Sequence, residues 1–231
     1  MELSYFACKK IDMFGIIILG NCRAKGNKFY NFVFKNRDFK TLFKPFSMST
    51  EYLDIFESRL EQEMLKLCTS YNMLSGTLLT TDDIDDQWKK MAPEYMADAV
   101  LQINQYPTVA IAWAGYLGMG VAYGWDTDWD AFKDVKYKSF YGERGYDDMD
   151  EHIVQNLLNL ELNSEQATNI EDMLRRCGQC AINMIRHEQI EGQSSVMFHV
   201  IARACKVMFR IGAAIELKRL GYKFEKVSLD S

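Results

Sequence analysis

The chain contains a Cys-x-x-Cys motif, the sequence CGQC from Cys177 to Cys180. In thiol–disulfide enzymes such a pair lies at a helix N-terminus after a strand, where the pKa of the first thiol is lowered. Here the motif lies inside a helical apolar pattern, with about a dozen helical residues before it and no strand. We therefore predict that these thiols pack in a core, where free cysteines behave as small apolar residues.

Cysteine and histidine side chains on the last two predicted helices form a second candidate, a zinc site. If the two helices form an antiparallel hairpin, Cys180 pairs with Cys205, and His187 with His199. The spacing of these residues places them on different helix faces, so four ligands do not converge easily. We predict no metal and no cofactor, although the sequence leaves open whether these residues and Cys177 bind metal. Six cysteines without a disulfide-framework spacing favour a reducing compartment.

The sequence DTDWD, from Asp126 to Asp130, resembles the start of a calcium-binding loop. The standard loop requires glycine at its sixth position and glutamate at its twelfth. This chain has Ala131 and Tyr137 at those positions. The segment is therefore expected to be a solvated acidic loop that partly caps neighbouring structure.

The same acidic and aromatic segment is the candidate ligand-binding site, formed by Trp125, Asp126, Asp128, Trp129 and Asp130. The two tryptophans are four residues apart, so on a helical turn they share a face, and Asp126 and Asp130 share the adjacent one. An apolar platform beside carboxylates suits a sugar or a peptide side chain. The alternative is that both tryptophans simply cover the end of the folded domain.

The last predicted helix has a polar ridge along one side. The ridge consists of His199, Arg203, Lys206 and Arg210. We expect this ridge to be the solvent-exposed edge of the helix or to form ion pairs with the acidic helices, and the alternative is a site for an anion or an acidic partner. The chain has no Glu-x-x-His pair, phosphate loop, Gly-x-Ser-x-Gly elbow or His-Glu-x-x-His motif. The sequence gives no preference for or against an enzyme.

Apolar residues recur at three- and four-residue steps over most of the chain after Met48, which predicts helices. The predicted helices cover about 50–73, 81–103, 107–124, 147–160, 164–191 and 194–220, and residues 124–146 are expected to form a long aromatic-rich loop. Only three prolines occur in the chain, which favours long helices. We predict an all-α domain over residues 48–231, a single bundle of six to seven helices.

The central helix, within residues 108–124, has a stripe of small residues, Ala114, Gly118 and Ala122. Small residues at four-residue spacing let two helix backbones approach closely. We expect a tight crossing inside the domain, and the alternative is a homo-oligomer formed through this helix. The longest apolar stretch lies here, and its glycines and modest length favour a core helix over a membrane span.

Residues 1–47 form a basic, Phe-rich N-terminal extension with nine Lys or Arg against three acids, a charge of +6. Residues 48–231 hold 18 basic and 29 acidic residues, a charge of −11, which argues against nucleic-acid binding. Three interpretations of the extension compete. It is a start-site error that precedes a true start at Met48, an export signal with a lipoprotein-like box ending at Cys22, or a genuine basic arm, disordered or ordered.

For function we expect a cytoplasmic bacterial protein without catalytic activity, acting by protein–protein interaction or self-association. The first alternative is a small-ligand or carbohydrate-binding protein, or an enzyme, that uses the acidic and aromatic segment 124–151. The second alternative is a lipid-anchored exported protein with the same helical body. We expect no nucleic-acid partner and no membrane insertion.

Overall fold

A computed structural model describes residues 50–103, 105–191 and 194–223. The predictions for residues 1–47, and for a boundary at Met48, lie outside these residues. The described part contains six α-helices and no strand, which confirms the predicted all-α fold. The helices are α1 (Thr50–Ser70), α2 (Asp82–Ile103), α3 (Pro107–Phe132), α4 (Met149–His152), α5 (Glu165–His187) and α6 (Ser195–Arg219).

Side chains cap the starts of several helices, and a glycine follows the end of α6. The Thr81 hydroxyl accepts a hydrogen bond from the Ile84 amide at 3.3 Å, and the Ser164 hydroxyl accepts one from the Ala167 amide at 3.2 Å. Such bonds satisfy amides that have no partner inside the helix. At the end of α6, Gly221 has a φ of 99°, the left-handed conformation that glycine adopts without strain.

Four helices form a ring in which each packs against the next, in the order α1, α5, α3, α6. The helices α1, α3 and α6 run parallel to one another, while α5 runs antiparallel to them. Contacts that show this include Arg203 of α6 with Glu57 near the start of α1, and Lys218 with Asn72 just past its end. Although α5 and α6 are consecutive in sequence, each packs far more closely on α3 than on the other, and α2 covers α3 and α6 from outside.

The closest helix contact in the bundle is between α3 and α6. A Cβ atom added to Gly118 would lie 2.0 Å from the carbonyl oxygen of Phe209, and one added to Gly212 would lie 1.9 Å from that of Gly115. Only glycine permits backbones at this distance. The expected tight crossing at Gly118 is therefore confirmed.

The small-residue stripe of α3 is buried inside the same chain. Ala114, Gly118 and Ala122 are all buried in the core around α3, so this face is not available to a second copy. Within residues 108–124, a homo-oligomer formed through the small-residue stripe is therefore wrong, because Gly118 already packs against α6. Self-association through another surface stays a prediction. None of the helices in the described ranges combines the length and the hydropathy needed to cross a bilayer.

Two of the predicted segments differ in the structure. The helix expected to stop near residue 124 instead runs on to a break at Asp128 and resumes as far as Phe132, whose ring packs over Gly124. Residues 124–146 are therefore not one long loop. The helix predicted over 147–160 is instead a 3-10 turn (Tyr146–Asp148), the short helix α4 and a π-helical turn (Ile153–Leu157).

Candidate functional site

The two tryptophans of the predicted ligand site do not form a regular helical platform. Asp128, between them, has extended backbone angles (φ −163°, ψ 88°), so the four-residue helical relation is interrupted. The Trp125 indole donates a hydrogen bond to Asp83 at 3.2 Å, and its ring packs against Tyr222. Trp129 is half-buried but is not among the apolar residues packed against the core.

The three carboxylates of the predicted site are exposed and bonded within the chain. Asp126 accepts a hydrogen bond from the Tyr222 hydroxyl at 2.8 Å, and Asp128 accepts one from the Ala131 amide at 3.1 Å, restarting the helix after the break. Asp130 pairs with Lys133 at 2.8 Å, and this hydrogen bond lowers the pKa of the carboxyl. Each carboxylate therefore has a local structural role, and ligand binding here stays a prediction.

The predicted pairing of cysteines and histidines on α5 and α6 is wrong. Cys180 lines a surface groove between α1 and α5, whereas Cys205 is buried with its sulfur 4.0 Å from the Ala110 carbonyl oxygen. His187 and His199 are both exposed. The reason is that α5 and α6 lie diagonally in the ring instead of side by side. Among the described residues no group of three or more His, Cys, Asp or Glu could hold a metal ion.

The basic ridge of α6 forms ion pairs with acidic residues of α1 and α2, as predicted. Glu57 of α1 pairs with both Arg203 and Lys206, the latter at 2.5 Å. Arg210 pairs with Glu61 of α1, and its Nε atom lies 3.3 Å from Asp85 of α2. These partly buried pairs join α6 to its neighbours, so the ridge is an internal contact and not an open anion site.

A cluster of four tyrosines, three of them buried, lies beside one half-buried carboxylate and was not predicted from the sequence. We call it the Asp98 cluster, and its members are Asp98, Tyr95, Tyr137, Tyr141 and Tyr146. The Tyr141 hydroxyl donates to Asp98, and the Tyr95 hydroxyl donates to the Ala110 carbonyl at 2.5 Å. The hydroxyls of Tyr137 and Tyr146 are buried and make no hydrogen bond of good geometry.

Burial raises the pKa of every tyrosine in the Asp98 cluster, because the phenolate form would lose its hydration. The phenols are therefore neutral donors at physiological pH and not bases. The rings contact each other edge to face, with centroids 6.0 Å apart between Tyr95 and both Tyr137 and Tyr146. The cluster holds the segment after α3 against α2, and its signal in the sequence was the density of aromatic residues in 137–146.

A surface cleft of about 550 Å³ lies between the N-terminal end of α5 and the C-terminal end of α6. Two basic side chains line it, Lys218 and Arg219. The Lys218 amine donates to the Asn72 carbonyl at 2.7 Å, and Arg219 is paired with the buried carboxylate of Glu216 at 2.6 Å. The two cations of this cleft are thus already bonded within the chain.

An exposed apolar surface lies where α2 ends and α3 begins. We call it the α2–α3 patch, formed by Val100, Leu101, Tyr106 and Val109, and the side chain of Leu101 is the most exposed, at 71%. The stripe of α2 that faces the core leaves Val100 and Leu101 on its outer side. Pro107 then starts α3 directly after the turn, which leaves Tyr106 and Val109 outside as well.

The charge around the α2–α3 patch is entirely negative within its own part of the chain. Residues 91–132 contain no Lys, Arg or His. Glu94 and Asp98 lie seven and three residues before Leu101, on the same side of α2. The patch is therefore an apolar surface with acidic neighbours along the chain. The sequence alone did not show whether this end of α2 is exposed or buried.

Comparison with protein-family models finds no match for this chain, and neither curated proteins nor solved structures provide one. Of the surfaces described above, the α2–α3 patch has exposed apolar area that is not used inside the chain.

Proposed function

We propose that this protein acts without catalysis, by binding a protein partner at the α2–α3 patch. The partner segment presents apolar side chains flanked by Lys or Arg. One observation carries the proposal: four of the eight exposed large apolar residues among those described lie within residues 100–109. Single exposed apolar residues are ordinary on protein surfaces, but a contiguous group is typical of an interaction site.

The acidic surroundings of the patch select the chemistry of the partner. Complementary charge steers two proteins together and disfavours partners of like charge. Glu94 and Asp98 are the nearest charged groups along α2, so a basic partner segment gains and an acidic one is repelled. Two copies of this chain would bring the same carboxylates together, so a symmetric dimer through the patch is disfavoured.

The absence of catalysis in this proposal is supported by the way polar groups are used. The basic residues Arg203, Lys206 and Arg210 of α6, the carboxylate of Asp98 and the carboxylates of residues 126–130 are each bonded inside the chain. The exposure of Trp129 supports the ligand-binding alternative, because this large ring is half-exposed and does not pack on the core. In that alternative, the small ligand or carbohydrate binds to the segment near residue 129 and not to the α2–α3 patch.

Two designed helical peptides provide the test, since the natural partner is unidentified. One has Leu and Phe at three- and four-residue steps with Lys on the remaining face, and the other replaces each Lys by Glu. Fluorescence anisotropy with full-length protein should show binding of the basic peptide alone. Leu101→Ser should weaken that binding at least about tenfold, which corresponds to 1.4 kcal/mol.

Ile55→Ser is the matched control, because Ile55 is also exposed (52%) and has acidic neighbours, but it lies alone on α1. This variant should bind the basic peptide like the wild type. Equal binding of both peptides, or binding that Leu101→Ser does not change, would contradict the proposal. A dimer in light scattering that Leu101→Ser dissociates would replace the partner by a second copy of the chain.

A further inference from the structure

We infer that Cys68 and Cys177 form an oxidation site, a dithiol that becomes a disulfide joining α1 to α5. The two sulfur atoms lie 3.5 Å apart, although the residues are 109 positions apart in the sequence. Neither side chain is accessible to solvent. The inference does not depend on the proposed function, because both helices lie away from the α2–α3 patch in sequence and neither cysteine belongs to it.

The geometry requires little movement for a covalent bond. A disulfide has an S–S length of about 2.05 Å, so the observed separation of 3.5 Å must close by about 1.5 Å. The antiparallel packing of α1 and α5 holds the pair in register, through the Tyr52 hydroxyl bond to Glu188 at one end and the Arg176 bond to Tyr71 at the other.

The structure changes the interpretation of the CGQC motif. The partner of Cys177 is not Cys180, one turn further along α5, but Cys68 on another helix. Cys180 is only half-buried and lines the groove between α1 and α5, beside Glu63. The motif therefore places one thiol in a buried inter-helix pair and a second thiol next to solvent.

Hydrogen peroxide is an oxidant that balances the reaction. The first thiol reacts with peroxide to give a sulfenic acid and one water, and the second thiol displaces the sulfenic oxygen as a second water while the S–S bond forms. The two sulfurs lose two electrons and two protons in total, and the peroxide is reduced to two waters. A low-molecular-weight disulfide reaches the same product by two exchange steps that release two small thiols.

The buried position of the pair determines how fast this happens. The bond to Cys68, together with burial, raises the pKa of the Cys177 thiol, so the reactive thiolate is scarce in the closed structure. The oxidant reaches the pair when the contact between α1 and α5 opens locally. Cys180 should therefore be modified first, and the cross-link should form more slowly.

The test uses the full chain with peroxide and, separately, with oxidised glutathione. Digestion without reductant, followed by mass spectrometry, should recover the Cys68 peptide joined to the peptide that contains Cys177 and Cys180, lighter by two hydrogen atoms. Because both cysteines of the motif fall in one tryptic peptide, variants distinguish them. Cys180→Ala should keep the cross-link, and Cys177→Ala should remove it.

A thermal measurement on the wild type keeps the inference testable if Cys177→Ala fails to fold. The oxidised protein should melt roughly 5–15 °C higher than the reduced protein, and reductant should reverse the change. A wild type that is oxidised at Cys180 yet never joins Cys68 would overturn the inference. A cross-link that persists in Cys177→Ala and is lost in Cys180→Ala would overturn it equally.

Discussion

Replacing Gly118 by alanine tests the central crossing of the fold, between α3 and α6. The added Cβ atom would lie 2.0 Å from the Phe209 carbonyl oxygen and 2.8 Å from its carbon, so the two helices must separate. Overpacking of a core costs about 1–3 kcal/mol, and a backbone atom cannot rotate away, so we take about 3 kcal/mol. Alanine regains about 1 kcal/mol of helix propensity. The free energy of unfolding should therefore fall by about 2 kcal/mol or more.

Urea unfolding followed by far-UV circular dichroism measures the fall in the free energy of unfolding. Thermal unfolding should show a Tm lower by roughly 4–8 °C. Gly115→Ala is the matched control on the same helix, because its Cβ would meet the side-chain ends of Leu174 at 2.8 Å and Met208 at 3.2 Å. Those flexible groups can turn aside, so its unfolding free energy should stay within about 1 kcal/mol of the wild type. A Gly118→Ala variant as stable as the wild type would refute the close crossing, and equal losses in both variants would refute the distinction between backbone and side-chain clashes.

Three further predictions concern the ion pairs, the predicted ligand site and the tyrosines. Glu57→Gln should lower the unfolding free energy by roughly 1–3 kcal/mol because it removes the carboxylate that Lys206 and Arg203 share, and Arg203 then keeps only its pair with the more exposed Asp54. Glu63→Gln, in an exposed pair, should change the unfolding free energy by less than about 0.5 kcal/mol, and urea titrations that show equal effects would contradict this. Trp129→Ala should lower the free energy of unfolding by less than about 1 kcal/mol, whereas Phe56→Ala, in the core, should lower it by roughly 3–5 kcal/mol. A large loss of stability in Trp129→Ala would mean that this ring packs in the core. Burial raises the pKa of the tyrosines in the Asp98 cluster, so unfolded chains ionise first and stability should fall as pH rises above about 10; unchanged unfolding free energies at about pH 9 and about pH 11 would contradict it.

The helices were predictable because their signals are local. The stripe of Phe56, Leu60 and Met64 recurs at four-residue steps, and all three side chains are fully buried on one face of α1. The caps at Thr81 and Ser164 depend on residues only three positions apart. A pattern confined to neighbouring residues can be recognised without knowing what the helix packs against.

The acidic and aromatic segment shows how a correct local pattern can be misplaced. Tryptophan and aspartate spacing predicted a shared helical face, but the chain breaks at Asp128, and Phe132 folds back over Gly124. That arrangement depends on packing at the end of α3, and no short-range spacing encodes it. The same limitation applied to the hairpin of α5 and α6, since consecutive helices are not always neighbours.

What the sequence determined by itself was the all-α class, most of the helix limits and the close approach at Gly118, because periodicity, caps and small residues act within one helix. The tertiary structure alone decided which helices are neighbours. It brought Cys68 to Cys177, packed four tyrosines together beside Asp98, and left Val100 and Leu101 exposed while the apolar stripe on the opposite side of α2 became buried. These features join residues far apart along the chain, and their positions follow from the competition among all apolar faces for one core.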